Sequence, residues 1–383
     1  MSMSVATPPA DAAADAQPRI AFRAMHRDDL PEASAMFARV MGLGAPQLPG
    51  AERAVERFFA DAFFDCPWAD PEISPLVALD ASGAIVGMIG AETRRLHFEG
   101  RVLRVASAGF LAVVPEARNS ATGVLLLRRL LGGPQDLTVT DTASELVEKI
   151  WLRLGGSRVE LKEMHWVSIM RPWSIAAGLA ASQAGRPAAI GARGLAREAA
   201  AGLDGVTTRV AGALLPARPS GIAVETLTPE LLLEHLPAVA KGHPHADYDL
   251  DYLRWLFDAM HGVPRRGDLV AHLLRNERGR VLGWYVYYLR PGWRSEVLQV
   301  AASERDMGDV VDHLLWHARE HGAGALRGRL EPGLVQEVAR RRCLLWHRGG
   351  TLVHSKDHEL AQRVADEAIL TRFDTDWFGD SVI

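Results

Sequence analysis

The sequence predicts an α/β protein, an α+β mixed sheet built twice along the chain, and three observations carry that prediction. Leu76-Val-Ala-Leu79, residues 84–92 and residues 102–114 read as three strands joined by the turn signals Asp80-Ala-Ser-Gly83 and Glu99-Gly100, an antiparallel meander. The meander runs through Pro115 into a helix, and Leu137–Thr140 followed by a helix to Leu154 then forms a β–α unit, which places a parallel strand at the end of the meander. The same order of elements returns after residue 221, beyond an Ala-, Gly- and Pro-rich stretch.

Composition bounds the function. The 383 residues carry 43 Lys+Arg against 47 Asp+Glu, a net charge of −4, with 48% apolar residues, the balance of an ordinary globular protein. Basic residues form no cluster, so nucleic acid is not expected as a partner. Cys66 and Cys343 lie far apart without companions at zinc-ligand spacing, which points to a reduced, cytoplasmic compartment. The start lacks the cationic and apolar segments of a signal peptide, no stretch has the length of a membrane span, and no membrane partner is expected. A monomer or homodimer is expected. Residues 1–18, rich in Ala, Pro and Asp, read as a disordered leader.

In the first half, residues 19–171, a short strand at residues 20–23 precedes a helix to Met41 with acids in its first turn. A second helix, residues 51–64, carries Val55, Phe58, Phe59, Ala62 and Phe63 on one side. The meander and the β–α unit follow, with Asp141 or Thr142 as cap of the last helix and Gly155-Gly156 as its stop. Residues 158–170 are expected to close the sheet. Residues 172–220 read as an Ala/Gly-rich helical linker. In residues 221–383, helices are expected from Leu227-Thr-Pro-Glu230, over residues 249–261 and over residues 307–320, with strands at 269–275, 281–289 and 295–302.

The centre of the first half is the strand-to-helix turn from Phe110 to Leu131. Residues 118–123 offer successive backbone N–H groups at a helix start, donors without partners inside the helix and suited to a phosphate. Arg118-Asn119-Ser120-Ala121-Thr122-Gly123 resembles the Arg/Gln-x-x-Gly-x-Gly/Ala loop of GCN5-related N-acetyltransferases, with alanine at one glycine position. Ala121 admits a phosphate if it keeps the negative φ of an early helical residue. The order of elements and Trp151, an aromatic four residues before Gly155, also match that family's pattern.

The resemblance implies two tandem acyl-CoA N-acyltransferase-like domains, the second degenerate, with acetyl-CoA as co-substrate and a small-molecule or peptide amine as acceptor. It implies that residues 118–123 hold the pyrophosphate, that the backbone N–H groups of Leu111, Ala112 and Val113 point at the thioester carbonyl, and that Ser144 stands where the family often has an asparagine. The family's usual acid is a tyrosine at the position of Trp151; indole N–H cannot protonate a thiolate, so that role does not carry over.

No glutamate lies in the strand before the cradle. The candidates for the base are Asp141 and His165, with Glu163 on the same alternating face as a weaker third; Asp141 also reads as a helix cap and His165 as a satisfied sheet histidine. The missing tyrosine and glutamate keep open a non-catalytic coenzyme-A-binding or interaction protein of the same fold. In the second half the cradle position reads Ala302-Ser-Glu304-Arg305-Asp306-Met-Gly308-Asp309, whose three carboxylates repel a pyrophosphate. His243-Pro-His245-Ala-Asp247 has the residue types of a metal site in a Pro-containing loop, and no metal is expected there. Phe373 to Phe378 reads as a tail that folds back as an edge strand, with the Ile383 carboxylate as a further possible base.

Overall fold

The computed structural model describes residues 20–43, 50–183, 199–205, 219–240, 244–367 and 371–375; the leader and the Ile383 carboxylate lie outside them. The first-half elements are β1 (Ala21–Ala24), α1 (Leu30–Val40), α2 (Ala51–Phe63), β2 (Leu76–Leu79), β3 (Ile85–Phe98), β4 (Arg101–Val113), α3 (Thr122–Leu131), β5 (Leu137–Thr140) and α4 (Glu145–Arg153). β6 (Ser157–Arg158), α5 (Glu160–Glu163), β7 (Met164–Ile169), α6 (Pro172–Gln183) and α7 (residues 199–205) follow. The second half comprises β8 (Ile222–Thr226), α8 (Pro229–Ala240), β9 (His245–Ala246), α9 (Leu250–His261), β10 (Asp268–Asn276), β11 (Val281–Leu289), β12 (Arg294–Ala302), α10 (Met307–Glu320), β13 (Ala325–Arg329), α11 (Val335–Arg340), β14 (Leu344–His347), β15 (Leu352–His354) and α12 (His358–Glu367).

These elements make two mixed sheets, as the sequence predicts. The first runs β1-β2-β3-β4-β5-β15-β6, with β9 added at the end of β3; the second runs β14-β7-β13-β12-β11-β10-β8. In each, a four-strand antiparallel run ends on a parallel pair, β4 with β5 and β12 with β13.

The strand expected to close the first sheet does not do so. Residues 158–170 break into β6, α5 and β7, and β7 pairs antiparallel with β13 and β14 of the second sheet. β15 takes the vacated position, antiparallel to β5 and β6. Each sheet is completed by a strand from the other half of the chain, so a division at residue 171 does not separate the sheets. Acidic, exposed Glu160 breaks the strand pattern, and the short α5 turns β7 away.

One core lies between the sheets, where Phe37, Phe59 and Phe63 of α1 and α2 meet Leu253, Leu256 and Phe257 of α9. Outer cores form where α3 and α4 cover the first sheet, through Leu126, Leu130 and Trp151, and where α10 and α11 cover the second, through Val310, Leu314 and Val338. No helix of the described residues is long and apolar enough to cross a membrane.

Candidate functional site

The site is set by a fork in the first sheet. β4 pairs with β5 only at Val105↔Leu137, Ala106↔Thr138 and Ser107↔Val139, and β4 then continues to Val113 paired with β3 but not with β5. The register against β3 slips between Met88 and Gly90, so that Phe110 and Leu111 together oppose Ile89, and Phe110 takes φ 55°. This is a β-bulge, which bends its strand and frees backbone groups from the ladder. It falls where the sequence expects the N–H donors of Leu111, Ala112 and Val113.

Beyond β4, Pro115–Ser120 forms a 3₁₀ helix and α3 starts at Thr122. Among the described residues no side chain caps α3, and no acid stands in its first turn, so the N–H groups there are available to an anion. Asn119 and Ala121 are exposed. A Cβ at Gly123 would meet only Val113 Cγ2, at 3.6 Å, so its smallness leaves open space over the helix start. Exposed Arg118 rests with Nε 3.3 Å from Val113 O, and the Ser120 hydroxyl lies 2.7 Å from Thr122 Oγ1. Ala121 departs from expectation: its φ is 56° and ψ 17°, the left-handed region, not the negative φ of an early helical residue. The chain must reverse between the 3₁₀ helix and α3, and this turn is why glycine suits the position.

Asp141 does not cap α4. Ser144 does, accepting from Val147 N at 3.4 Å, so this hydroxyl is committed to the helix end. Asp141 is buried at the end of β5, where Oδ2 accepts from Arg329 Nη2 of β13 at 2.5 Å and from Thr375 Oγ1 at 2.6 Å. Burial pushes its carboxyl up, but the Arg329 and Arg372 guanidiniums, with the hydrogen bonds of Thr375 and Arg329, outweigh burial and hold it below the ordinary carboxylate range. A carboxylate so committed is a poor proton acceptor. His165 lies in the second sheet, buried and tilted against Trp346, opposite Arg329 in register. Burial, then the fields of Arg329, Arg348, Arg372 and Arg327, lower it to about 3, far below what a base at neutral pH needs. Glu163 accepts from His347 at 3.0 Å.

Trp151 is a core residue. Its Nε1 donates to Val353 O of β15 at 3.2 Å, and Gly156 is glycine because a Cβ there would lie 2.0 Å from the indole. Tyr285 and Tyr287 pack under α10 and Tyr288 on the opposite face, so both faces of that strand are buried. His243 lies outside the described residues; among those described, no group of His, Cys, Asp or Glu is arranged to hold a metal.

Sequence reasoning missed Glu92. It faces Ser107, the last residue of β4 paired with β5, and so stands at the apex of the fork. Gly90, Glu92 and Arg94 share the sheet face toward α2 and α9, opposite α3: a Cβ at Gly90 would meet Phe63, and the Arg94 guanidinium lies over the Tyr252 ring. Burial raises the Glu92 carboxyl, and the charge and hydrogen bond of Arg94 offset only part of that rise. The legible signal was a glutamate two residues before an arginine inside an apolar strand.

No known family profile and no curated protein matches the sequence. Solved structures do. A probable N-acyltransferase from Enterococcus faecalis V583 aligns over 88% of this chain and 73% of its own, at 8% identity and a TM-score of 0.56. A GCN5-related N-acetyltransferase from Anabaena variabilis aligns over 88% and 72%, at 7% identity and a TM-score of 0.56. A third, from Kribbella flavida, aligns over 89% and 72%, at 14% identity and a TM-score of 0.53. The fold is that of the GCN5-related N-acetyltransferases. The alignments span both sheets, so the doubled architecture belongs to that fold comparison and not to the first half alone.

Proposed function

We propose that the protein is a coenzyme-A-dependent N-acyltransferase that moves an acetyl or acyl group to an amine of a small molecule or peptide. The observation that carries this reading is the conjunction, on one strand, of a fork, a bulge and an uncapped helix start. The fork gives an extended thiol chain a slot between strands, the bulge turns backbone N–H groups toward a thioester carbonyl, and the first turn of α3 with Arg118 takes the pyrophosphate. The amine arrives as an ammonium ion and must lose a proton before its nitrogen bonds the carbonyl carbon and the carbon–sulfur bond breaks. Glu92, at the apex and with a raised carboxyl, is the group we assign to take that proton. The thiolate leaves without a dedicated acid, since the side chain at the family's position is buried Trp151, and the second amine proton, shed as the adduct collapses to the amide, passes through solvent to the thiolate.

A second reading, a coenzyme-A-binding protein without catalysis, is favoured by the committed state of Asp141 and the low basicity of His165. Calorimetry with acetyl-CoA, followed by thiol release across a panel of amines, separates the two. Binding with turnover is expected; binding without turnover on any amine selects the second reading. Arg118→Ala and Gly123→Val should each weaken binding about tenfold or more, by loss of a charge-assisted contact and by closing the space over the helix start. Unchanged affinity in both variants overturns the cradle.

A further inference from the structure

The second sheet has a fork of its own. β12 pairs with β13 only at Arg294↔Ala325, Ser295↔Leu326 and Glu296↔Arg327, and a register slip between Val286 and Tyr287 leaves Leu298 as the extra residue of a bulge. The α10 start in that half holds Asp306, ion-paired with Arg280 at 2.6 Å, so no cradle accompanies this fork.

Residues 371–375 lie across it. The Phe373 N–H donates to Leu298 O, the bulge carbonyl, at 3.2 Å. Arg372 pairs with Glu296, the last residue of β12 bonded to β13. Phe373 is fully buried in the core between the sheets, and Arg372, Asp374 and Thr375 are buried beside it. Residues 371–375 form a turn, in which Asp374 Oδ2 accepts from Thr371 N at 2.9 Å and from Thr371 Oγ1 at 2.7 Å, and the rest of the expected edge strand, residues 376–378, lies outside the described residues.

The same residues reach the apex of the first fork. Arg94, the partner of Glu92, donates Nε to Asp374 O at 2.8 Å. Thr375 Oγ1 donates to Asp141 Oδ2, and Arg329, the last residue of β13, holds the same oxygen. Asp374 Oδ1 also accepts from Tyr248 of the segment before α9. Residues 108–113 of β4 separate these contacts from the cradle, so the segment grips the closed end of the first fork and leaves its open end clear.

We propose that residues 371–375 are the resident ligand of the second fork, and that their seating and acyl-coenzyme A binding at the first fork support each other. The coupling half of this inference rests on the cofactor reading above. The seat orders the end of β5, one wall of the fork that a thioester would enter, through Asp141, and through Arg94 it orders the part of β3 whose Glu92 backs β4 at the fork apex. A ligand that binds the ordered fork more tightly than the disordered one must strengthen the seat in return.

The bond between Arg372 and Phe373 offers a direct probe, because trypsin cuts there only when the seat opens. The full chain is digested with and without saturating acetyl-CoA, cleavage after Arg372 is followed by mass spectrometry against the exposed Arg305, and acetyl-CoA binding is measured by calorimetry. Arg372 should be cut far more slowly than Arg305, acetyl-CoA should slow it about fivefold or more, and Thr375→Val should speed it and weaken acetyl-CoA binding. Cleavage at Arg372 as fast as at Arg305 in unliganded protein overturns the seat. Binding by calorimetry with unchanged or faster cleavage overturns the coupling while leaving the cofactor reading intact. Absence of binding overturns the cofactor reading and the coupling with it, and the seat then stands or falls on the unliganded rate.

Discussion

At Ala121 the backbone sits at φ 56° in the turn that aims α3 at the cradle. A left-handed residue with a Cβ costs roughly 1–2 kcal/mol, and the extra chain entropy of glycine takes back about 0.5–1 kcal/mol. Ala121→Gly is therefore expected to raise stability by roughly 0.5–1 kcal/mol in denaturant melts, and a destabilised variant would show that the Ala121 methyl has a packing role. At the fork apex, Glu92→Gln should lose about 10²-fold or more in turnover at neutral pH, with the loss shrinking as pH rises and the amine deprotonates in solution. His165→Gln should stay close to wild type, since a histidine held at about 3 stays neutral at neutral pH and is too weak a base to take the ammonium proton. Wild-type turnover in a folded Glu92→Gln protein would send the search for a base elsewhere. The helix start was readable from Pro115, Gly123 and the apolar run before them, whereas the bulge was not: the N–H groups of Leu111, Ala112 and Val113 came from the family resemblance, and the register slip at Phe110 leaves no mark in the apolar run. Glu92 was not readable either, because a buried carboxylate in an apolar strand reads as the strand's end until Arg94, on the same face, is seen to neutralise it.

Among elements, α10 shows how much a helix conceals. Its apolar period gives its bounds, Met307–Glu320, residue for residue, yet the same period places His313 and His317 against β11, where Tyr285 and Tyr287 hold them by hydroxyls at 3.0 and 2.8 Å. His272 of β10 and His321, which follows the helix, stand against His317, their rings 4.7 and 3.9 Å away. Burial first, then the neighbouring His272, His321 and His313, lower His317 to about 3, and His272 is lowered by burial and by His321. His317 and His272 resist protonation in the folded protein while the unfolded chain takes up protons below about pH 6.5. The contribution of His317 is thus complete above that pH and is lost as pH falls toward 3, by at most about 1.4 kcal/mol per pH unit, and that of His272 falls in the same direction. Urea melts at pH 7.5 and pH 5 should show this loss, and His317→Gln should flatten it; equal slopes in both proteins would mean that these histidines do not titrate with unfolding. Strands β2, β5 and β11 were equally plain, β2 from its apolar run and β5 and β11 from their β-branched and aromatic residues. β13, β14 and β15 were not read, since strands of three to five residues, flanked by charged segments, carry too few alternations to stand out.

At the scale of the whole molecule the doubled order of elements was legible, and the exchange of β7 and β15 between the sheets was not. Strand pairing is settled by where the connections lead, and pattern alone does not assign the six residues of β7 or the three of β15 to one sheet. The exchange decides how the protein must fold. A fragment of residues 1–171 lacks β15, which lies between β5 and β6 and accepts the Trp151 indole N–H. It also lacks α12, whose Leu360 and Val364 are buried against Leu96 and Val105 of the first sheet. Leu352, Val353, Leu360 and Val364 each contribute roughly 1.5–3 kcal/mol on burial, so their joint loss rivals the whole 5–15 kcal/mol stability of an ordinary domain. The fragment would in addition carry β7, whose partners β13 and β14 are missing. Residues 1–171 made alone should therefore give no cooperative thermal transition and no acetyl-CoA binding, whereas the fragment co-expressed with residues 172–383 should return as a complex of the two that unfolds in one step. A cooperative fold with acetyl-CoA affinity in the isolated fragment would mean that the first sheet closes without β15, and that the exchange is an ornament of the full chain and not a condition of its stability.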